Sequence, residues 1–358
     1  MIRKICFFTS GFGFNRQTVL NSIEKIFPDN VEVFLFTPKD FNNSYKTNKI
    51  KIVKTSCNRF NAFFELRKFC KKNKIQRLAN LGVLPQEGFV MMFASLLSKT
   101  DFISFQASDP ITASKLSKGE LKLKIFFETI FSYFLTFFTK KILFCSEDIY
   151  ESYKKYYPLK NKSDYLNLLI NTELFKPKNK TTTRKKLNLP LKKDIIIYVG
   201  RIEHLKGSDI IYKTIKTNQD KLFILIGDLA DDRFKKNNLK DIKNLILLPS
   251  QNQEILVDYY NAADLCIFPS RFESYGFVPR EAMSCSTPAI VSNILALRIL
   301  KPAIKSELTD KIFSKEINTF FKLSPNEKDK LSKQSRQFII DRYSEKALKK
   351  EYIKKLLN

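Results

Sequence analysis

The first stretch with the residue types for phosphate chemistry is residues 195–209. A β-branched apolar run ends at Gly200, and the cations Arg201 and Lys206 follow in what reads as a loop. We expect a helix after this loop, with Ser208 as its N-cap. A guanidinium and an ammonium at the carboxyl edge of an α/β sheet are suited to binding a diphosphate.

The second such stretch is residues 264–291, which reads as strand, loop, short helix and strand. Gly276 precedes a predicted helix over residues 277–285, whose free N–H groups would attract an anion. Glu273 lies in the loop and Glu281 lies within the helix, with seven residues between them. Ionised carboxylates accept two hydrogen bonds and therefore suit the hydroxyl groups of a sugar.

Each of these charges also has a simpler interpretation. Arg201 and Lys206 could be solvated loop cations, Glu273 a turn residue, and Glu281 a charge on a helix surface. Their occurrence together, in this order along one chain, favours a shared site over four unrelated surface charges.

Together the two stretches resemble the C-terminal domain of the GT-B glycosyltransferases, specifically the retaining family 4 within glycosyl transferases group 1. Gly200, Arg201, Lys206 and Gly207 meet the pattern Gly-Arg-x-x-x-x-Lys-Gly, and Glu273 with Glu281 meet Glu-x7-Glu. The resemblance implies an α/β chain of two Rossmann-like domains, whose parallel sheets face each other across a cleft. It also implies transfer of a sugar from a nucleotide-diphosphate donor with retention of configuration.

The resemblance implies roles for individual residues. Arg201 and Lys206 would hold the distal phosphate, Glu273 the donor sugar and Glu281 the ribose hydroxyls. The residues that would contact the donor are Gly13, Gly200, Arg201, Lys206, Ser274, Tyr275, Gly276, Phe277 and Glu281. The residues assigned to catalysis are Arg201, Lys206, Glu273 and Asp109.

The amino-terminal half contributes two of these residues. A predicted strand over residues 2–9 is followed by a glycine-containing turn that ends at Gly13, which permits close approach of a ligand or is simply a tight turn. Asp109 comes shortly after a predicted strand over residues 102–105, where the resembled family often carries a histidine. We expect Asp109 to contact the acceptor or to act as a base.

The domain boundaries follow from the same resemblance. We expect an acceptor-binding domain over residues 1–172, a nucleotide-sugar-binding domain over 173–340, and a terminal helix over 341–358 that returns to the first domain. Residues 176–193 are polar and basic and read as a linker and domain entry. The family's Gly-Gly-x-Pro-Glu loop is absent after Val291. A degenerate GT-B protein that binds donor without transfer is therefore an alternative.

Lys and Arg number 63 against 36 Asp and Glu, which gives a net charge of +27 and indicates anionic partners. Such an excess favours phosphorylated substrates, an anionic membrane surface or nucleic acid. The last is the second alternative function, but the lysines are dispersed and no arginine-rich arm is present, so we expect no nucleic-acid partner. The expected partners are a nucleotide sugar and a glycan or glycolipid acceptor of the bacterial cell surface, such as lipopolysaccharide.

The remaining residues set the expected cofactors and location. His204 is the single histidine, so a site of several histidines is excluded and we expect no bound metal and no cofactor besides the donor. Six scattered cysteines without a Cys-x-x-Cys pair indicate free thiols in a reducing, cytoplasmic compartment. Two aromatic, lysine-flanked helices are predicted, over residues 59–74 and 121–141. Core packing is the default for both, with contact to the cytoplasmic membrane face as the alternative.

Overall fold

The computed structural model divides the chain into two compact units. Unit 1 comprises residues 1–169 and 345–358, and unit 2 comprises residues 170–344. The corresponding boundaries expected from the sequence are 172/173 and 340/341. The residues that the structure describes are 3–9, 20, 22–38, 47, 49–55, 59–80, 85–106, 130, 134, 137–154, 162–235, 239 and 242–358.

Unit 1 is built on a fully parallel sheet. In chain order its strands are β1 (Lys4–Phe8), β2 (Glu32–Pro38), β3 (Ile50–Thr55), β4 (Arg77–Asn80), β5 (Asp101–Gln106), β6 (Lys141–Phe144) and β7 (Ser163–Tyr165). Their spatial order is β3-β2-β1-β4-β5-β6-β7, so the chain reverses direction across the sheet at β1. Strand β1 is buried along four of its five residues, as expected for a central strand covered on both faces.

Three helices of unit 1 that precede the linker have both ends described. They are α1 (Arg59–Asn73), α2 (Pro85–Ser98) and α3 (Glu147–Lys154). The prediction of a helix over residues 59–74 is confirmed, and Leu66 and Cys70 of this helix join the apolar core beneath the sheet. Strand β4 was not expected from the sequence, because it is only four residues long and carries two polar side chains.

The last helix of the chain, α11 (Glu345–Leu357), belongs to unit 1. The hydroxyl of Tyr352 donates to the carbonyl of Asn167 at 3.1 Å. Arg77 donates to the carbonyl of Leu356 at 2.6 Å, which satisfies a carbonyl at the end of α11. The terminal helix is thus fixed to its unit through polar contacts with the segment after β7 and with the sheet.

Unit 2 also has a fully parallel sheet. Its strands are β8 (Ile195–Val199), β9 (Leu222–Ile226), β10 (Leu245–Leu248), β11 (Leu265–Phe268), β12 (Ala289–Ser292) and β13 (Ile304–Ser306). Their spatial order is β10-β9-β8-β11-β12-β13, and the direction reverses between β8 and β11. In a doubly wound sheet, ligands bind outside the carboxyl ends of strands at such a reversal. Both sequence stretches with candidate site residues follow these two strands.

The helices of unit 2 cover this sheet. They are α4 (Lys180–Lys186), α5 (Ser208–Thr217), α6 (Gln253–Ala262), α7 (Phe277–Ser284), α8 (Leu295–Arg298), α9 (Asp310–Lys322) and α10 (Pro325–Tyr343). Local sequence explains their starts: Asn252 accepts from the backbone of α6, and Ser324 with Glu327 forms a capping box at α10. The predicted fold class, two α/β domains with parallel sheets, is confirmed.

Within residues 176–193, which read as a linker and domain entry, Asn179 caps a short helix, α4, over residues 180–186. One local prediction is wrong: Ser208 is not the N-cap of α5, since Gly207 occupies that position with φ +78°. The Ser208 hydroxyl donates instead to the carboxylate of Asp231.

Some predicted features lie outside the described residues. These are Gly13 with its turn, Asp109, and most of the helix expected over residues 121–141. No described helix has the length and apolar character that crossing a bilayer requires. Five of the six cysteines are described, and all five are buried free thiols.

Candidate active site in unit 2

The turn before α7 has the backbone geometry of an anion-binding helix start. Gly276 is its N-cap, in the left-handed region at φ +78°. A Cβ at this position would lie 2.5 Å from Cδ2 of Leu297, so the turn needs glycine both for conformation and for space. Helix α7 then runs over residues 277–284, and its first N–H groups have no partner within the helix. The predicted strand, loop and helix of this stretch are confirmed.

A second glycine joins the two motif stretches. Gly207 also adopts φ +78°, and a Cβ there would lie 2.1 Å from the carbonyl oxygen of Pro269. The loop that carries Lys206 therefore packs directly against the start of the loop that carries Glu273. No side chain fits between them, which explains why Gly207 ends the first motif.

A charged pair fastens the same two loops. The Arg271 guanidinium donates to both carboxylate oxygens of Asp209, at 2.7 and 2.8 Å, and to the carbonyl of His204 at 2.6 Å. Burial alone would raise the pKa of the Asp209 carboxyl, but the paired guanidinium brings it below its ordinary value. No motif predicts this pair, because its partners are 62 residues apart in the chain.

Lys206 and Glu273 meet at this junction. The ammonium of Lys206 donates to the carboxylate of Glu273 and, at 3.2 Å, to the carbonyl of Phe272. The hydroxyl of Ser270 lies 3.3 Å from the same carboxylate. Both charged side chains are mostly buried, at 22% and 13% exposed. The structure thus brings together one cation of the first motif and one acid of the second.

Arg201 has a different environment. Its side chain is 62% exposed, and its Nε lies 3.4 Å from the Glu203 carboxylate. Its backbone is held by Tyr198, whose hydroxyl donates to the Arg201 carbonyl at 2.8 Å. The guanidinium therefore lies largely in solvent, and its contact with a phosphate stays a prediction. Gly200, just before it, has φ +136° at the end of β8.

Glu281 lies in the interior of unit 2. The side chain is buried, and its carboxylate accepts a hydrogen bond from the hydroxyl of Tyr260 at 3.0 Å. Burial raises the pKa of this carboxyl to about 7, although the Tyr260 hydrogen bond opposes the shift. The interpretation of Glu281 as a surface charge is therefore wrong. Its contact with ribose hydroxyls stays a prediction.

Sequence reasoning missed Arg280, the residue just before Glu281. Its side chain is fully buried, and its guanidinium carbon lies 3.9 Å from the ring centroid of Tyr275 and 4.9 Å from that of Tyr343. The sequence signal for it is an arginine within a helix whose other residues, apart from Glu281, are small or apolar. Tyr275 is itself buried and packs edge-on against Phe277.

Among the described residues, no group of three or more His, Cys, Asp or Glu side chains is placed to hold a metal ion. What the site does contain is a partly buried ion pair, an interior carboxyl and a glycine-shaped helix start. Such a set can neutralise, orient and hydrogen-bond an anionic ligand that carries hydroxyl groups.

The part of the chain that carries these residues is similar to a known protein family. Residues 179–355 match the model of the family described as "Glycosyl transferases group 1". This part of the chain is similar to that family along nearly half of the full sequence. The match includes both motif stretches and every unit 2 residue discussed above, which agrees with the resemblance found in the sequence.

Curated relatives and solved structures extend this result. A D-inositol 3-phosphate glycosyltransferase of Streptosporangium roseum is 26% identical over 151 residues, which cover 38% of this chain and 35% of the relative. The match thus spans about a third of the length of this relative. Sucrose-phosphate synthase from Thermosynechococcus elongatus has a TM-score of 0.81 at 16% identity, and covers 98% of both chains. Anabaena HepE, solved with UDP-glucose, has a TM-score of 0.79 at 12% identity, and covers 99% of both. The chain has the GT-B class of fold that these neighbours share.

Proposed function

We propose that the chain is a glycosyltransferase that moves a sugar from a nucleotide-diphosphate donor to a saccharide or glycolipid acceptor. The observation that supports it most directly is the contact of Lys206 with Glu273, next to the start of α7. Two motifs that lie far apart in the sequence supply a cation for phosphate and an acid for hydroxyls at one place. Anabaena HepE, which has a similar fold, is solved with UDP-glucose.

The proposed reaction places charge where these residues lie. The acceptor hydroxyl oxygen forms a bond to the anomeric carbon, while the bond from that carbon to the distal phosphate oxygen breaks. The electron pair leaves with the nucleoside diphosphate, so negative charge grows on its phosphates. Lys206 and Arg201 would neutralise that charge, together with the N–H groups at Gly276 and Phe277. Asp109 is the proposed contact for the acceptor hydroxyl or the base that takes its proton.

The acids would bind the two sugars of the donor. Glu273 is proposed to contact the transferred sugar, which requires the Lys206 ammonium to shift from the carboxylate towards the phosphate. Glu281 is proposed to bind the ribose from the floor of the site beside Tyr260. Membership in family 4, retention of configuration and independence of metal ions are part of the proposal and derive from the motif resemblance.

The acceptor is proposed to be an anionic or phosphorylated glycan at the cell surface, with lipopolysaccharide as one candidate. The net charge of +27 supports an anionic partner. The names of two similar proteins include a phosphorylated compound, inositol 3-phosphate in one and sucrose phosphate in the other. An assembly site on the inner face of the cytoplasmic membrane would supply such acceptors.

Contact with that membrane is proposed through an apolar face of unit 1. Four large apolar side chains on α1 and α2 are 47–50% exposed: Phe64, Phe93, Leu96 and Leu97. Phe63 joins the two helices, with ring centroids 4.8 Å from Phe64 and 6.5 Å from Phe93. Lys68 and Lys71 follow Phe64 at i+4 and i+7 of α1, and so share its side of the helix. An apolar surface with flanking lysines suits an anionic bilayer.

Vesicle sedimentation tests this contact. The wild-type chain should sediment with phosphatidylcholine vesicles that contain phosphatidylglycerol about tenfold more than with phosphatidylcholine alone, since each lysine near the surface adds about 1 kcal/mol. Replacing Phe93 and Leu97 by serine should lower sedimentation with the phosphatidylglycerol vesicles, because the apolar contact is lost while the lysines remain. Leu191→Ser is the matched control, because Leu191 is also 47% exposed but lies in unit 2. Equal sedimentation of the unit 1 variant and the wild type would refute the surface.

Thermal-shift titration with UDP-, GDP-, ADP- and CMP-sugars tests the donor proposal. One nucleotide class should raise the melting temperature by about 5 °C at saturation. Lys206→Ala should remove most of that rise, because the phosphate loses its buried cation. Lys213→Ala is the control, since Lys213 is an exposed lysine of α5 whose ammonium lies 3.9 Å from Asp310.

Two outcomes would count against the proposal. Equal shifts in wild type, Lys206→Ala and Arg201→Ala would place the donor elsewhere. An absence of any shift, together with a salt-dependent mobility shift of RNA, would favour a nucleic-acid-binding protein. Release of free sugar or its transfer to any acceptor separates a transferase from a protein that only binds donor.

A further inference from the structure

Arg280 is a buried cation that the proposed reaction does not use. It is the fourth residue of α7 and is 0% exposed. The rings of Tyr275 and Tyr343 lie 3.9 and 4.9 Å from its guanidinium carbon and supply cation–π contacts. Burying a guanidinium costs several kcal/mol unless its charge is compensated. A leucine at this position would fill the core without that cost. Packing alone therefore does not account for Arg280, and its role depends on where the charge lies.

The charge is directed at two carbonyl groups. Nη1 of Arg280 donates to the carbonyl of Tyr275 and, at 3.0 Å, to the carbonyl of Gly276. Its Nε and Nη2 are buried, and neither has a hydrogen-bond partner in the described part of the chain. All of the hydrogen bonding seen for this guanidinium is therefore concentrated on the turn before α7.

The two peptide groups transmit the effect of the guanidinium to their N–H groups, which lie on the side opposite to the carbonyls. In a planar trans peptide the carbonyl and the N–H point in opposite directions. The Tyr275 carbonyl shares its peptide group with the N–H of Gly276, and the Gly276 carbonyl shares its group with the N–H of Phe277. A cation bound to each carbonyl fixes the plane of the group and polarises its N–H, since hydrogen bonds in series strengthen one another.

We propose that Arg280 is a positioning residue for the donor diphosphate, which acts through the two peptide groups and not by contact with the ligand. This inference rests on the donor site proposed above. The guanidinium holds the N–H groups of Gly276 and Phe277 towards the distal phosphate and makes them stronger donors. The positive charge thus acts on the phosphate through the backbone, while the side chain stays in the core of unit 2.

Arg280→Leu tests the proposal when two probes are compared. The probes are the nucleoside diphosphate that binds the wild type and the matched nucleoside, which has no phosphate. The dissociation constant of the diphosphate should rise about tenfold, as for the loss of about 1.4 kcal/mol, while that of the nucleoside stays unchanged. A purely structural role would weaken both or neither. Arg280→Lys should recover part of the loss, because an ammonium can bond a carbonyl without stacking.

A second pair of variants covers the case in which Arg280→Leu does not fold. Tyr343→Leu removes one of the two rings on the guanidinium and should weaken the diphosphate about threefold, by about 0.7 kcal/mol. Tyr343→Phe keeps the ring and should bind as the wild type does; the Tyr343 hydroxyl has no hydrogen-bond partner in the described chain. Circular dichroism confirms folding of each variant first.

The outcomes separate this inference from the proposed function. If the wild type binds a nucleoside diphosphate and folded Arg280→Leu binds it equally well, the positioning role is wrong and the donor site stands. The same holds if both probes weaken together, or if the two Tyr343 variants bind alike. If the wild type binds no nucleoside diphosphate, both proposals are overturned.

Discussion

The loop at Glu273 and the helix at Glu281 are only a few residues apart, yet they place the same type of side chain in opposite surroundings. Glu273 pairs with the ammonium of Lys206 near the surface of unit 2. Glu281 is buried, and its described contact is a neutral hydroxyl, that of Tyr260. The first carboxylate is stabilised as an ion, whereas burial favours the protonated form of the second, although the Tyr260 hydroxyl opposes this.

This difference follows from how each element is held. The Glu273 loop is fixed from the side, by the close contact of Gly207 with Pro269 and by the Arg271 pair with Asp209. It can keep a charged side chain at its tip because solvent and a cation are near. Helix α7 is fixed from within, by packing of its buried face, and any acid on that face loses its hydration. Spacing in sequence therefore does not determine how two carboxylates will behave.

The largest effect expected from the contrast between Glu273 and Glu281 is a pH dependence of the free energy of unfolding. The folded-state pKa of Glu281 is about 7, against 4.5 for the ordinary carboxyl. Between these values the folded state keeps a proton that the unfolded state releases, so the free energy of unfolding falls as pH rises. The fall should reach about 3 kcal/mol between pH 4.5 and 7. Urea denaturation across this range measures it.

Glu281→Gln should flatten that part of the profile, because an amide keeps the shape but does not titrate. Glu254→Gln is the matched control, since Glu254 lies on the neighbouring helix α6 and is exposed. The control should retain the wild-type slope. If Glu281→Gln keeps that slope as well, the buried carboxyl is already ionised at low pH and the contrast with Glu273 fails.

Much of the fold was predictable from sequence because strands β8 to β11 of unit 2 are continuous apolar runs, each followed by glycine or proline. Strand β8, with five buried residues, is the clearest case. Strand β4 was missed for the opposite reason, since its arginine and asparagine find partners only through contacts distant in sequence. The capping prediction for Ser208 failed because Gly207 was needed for its close contact with Pro269, and it took the N-cap position.

The candidate site was predictable as a set of residues but not as a set of environments. The motif spacing identified Lys206, Glu273, Gly276 and Glu281, and the structure brings Lys206 to Glu273. Sequence periodicity over an eight-residue helix was too short to show that Glu281 and Arg280 point inward. Their burial depends on α6 and α10, which supply Tyr260 and Tyr343 from other parts of the chain.

A smaller effect, expected from the Glu273 loop, tests the other side of the comparison. Glu273→Gln removes the negative partner of Lys206 and leaves the ammonium, which is 22% exposed, with only the Phe272 carbonyl and solvent. We expect a loss of about 1 kcal/mol in the free energy of unfolding, because partial exposure lets water replace much of the pairing. Lys206→Met should cost a similar amount, as the carboxylate keeps the Ser270 hydroxyl nearby. The double variant should cost less than the sum of the two, with a coupling of about 1 kcal/mol in urea denaturation. Full additivity would mean that the two side chains do not stabilise each other in solution, and Glu273 would then resemble Glu281 in lacking a charged partner.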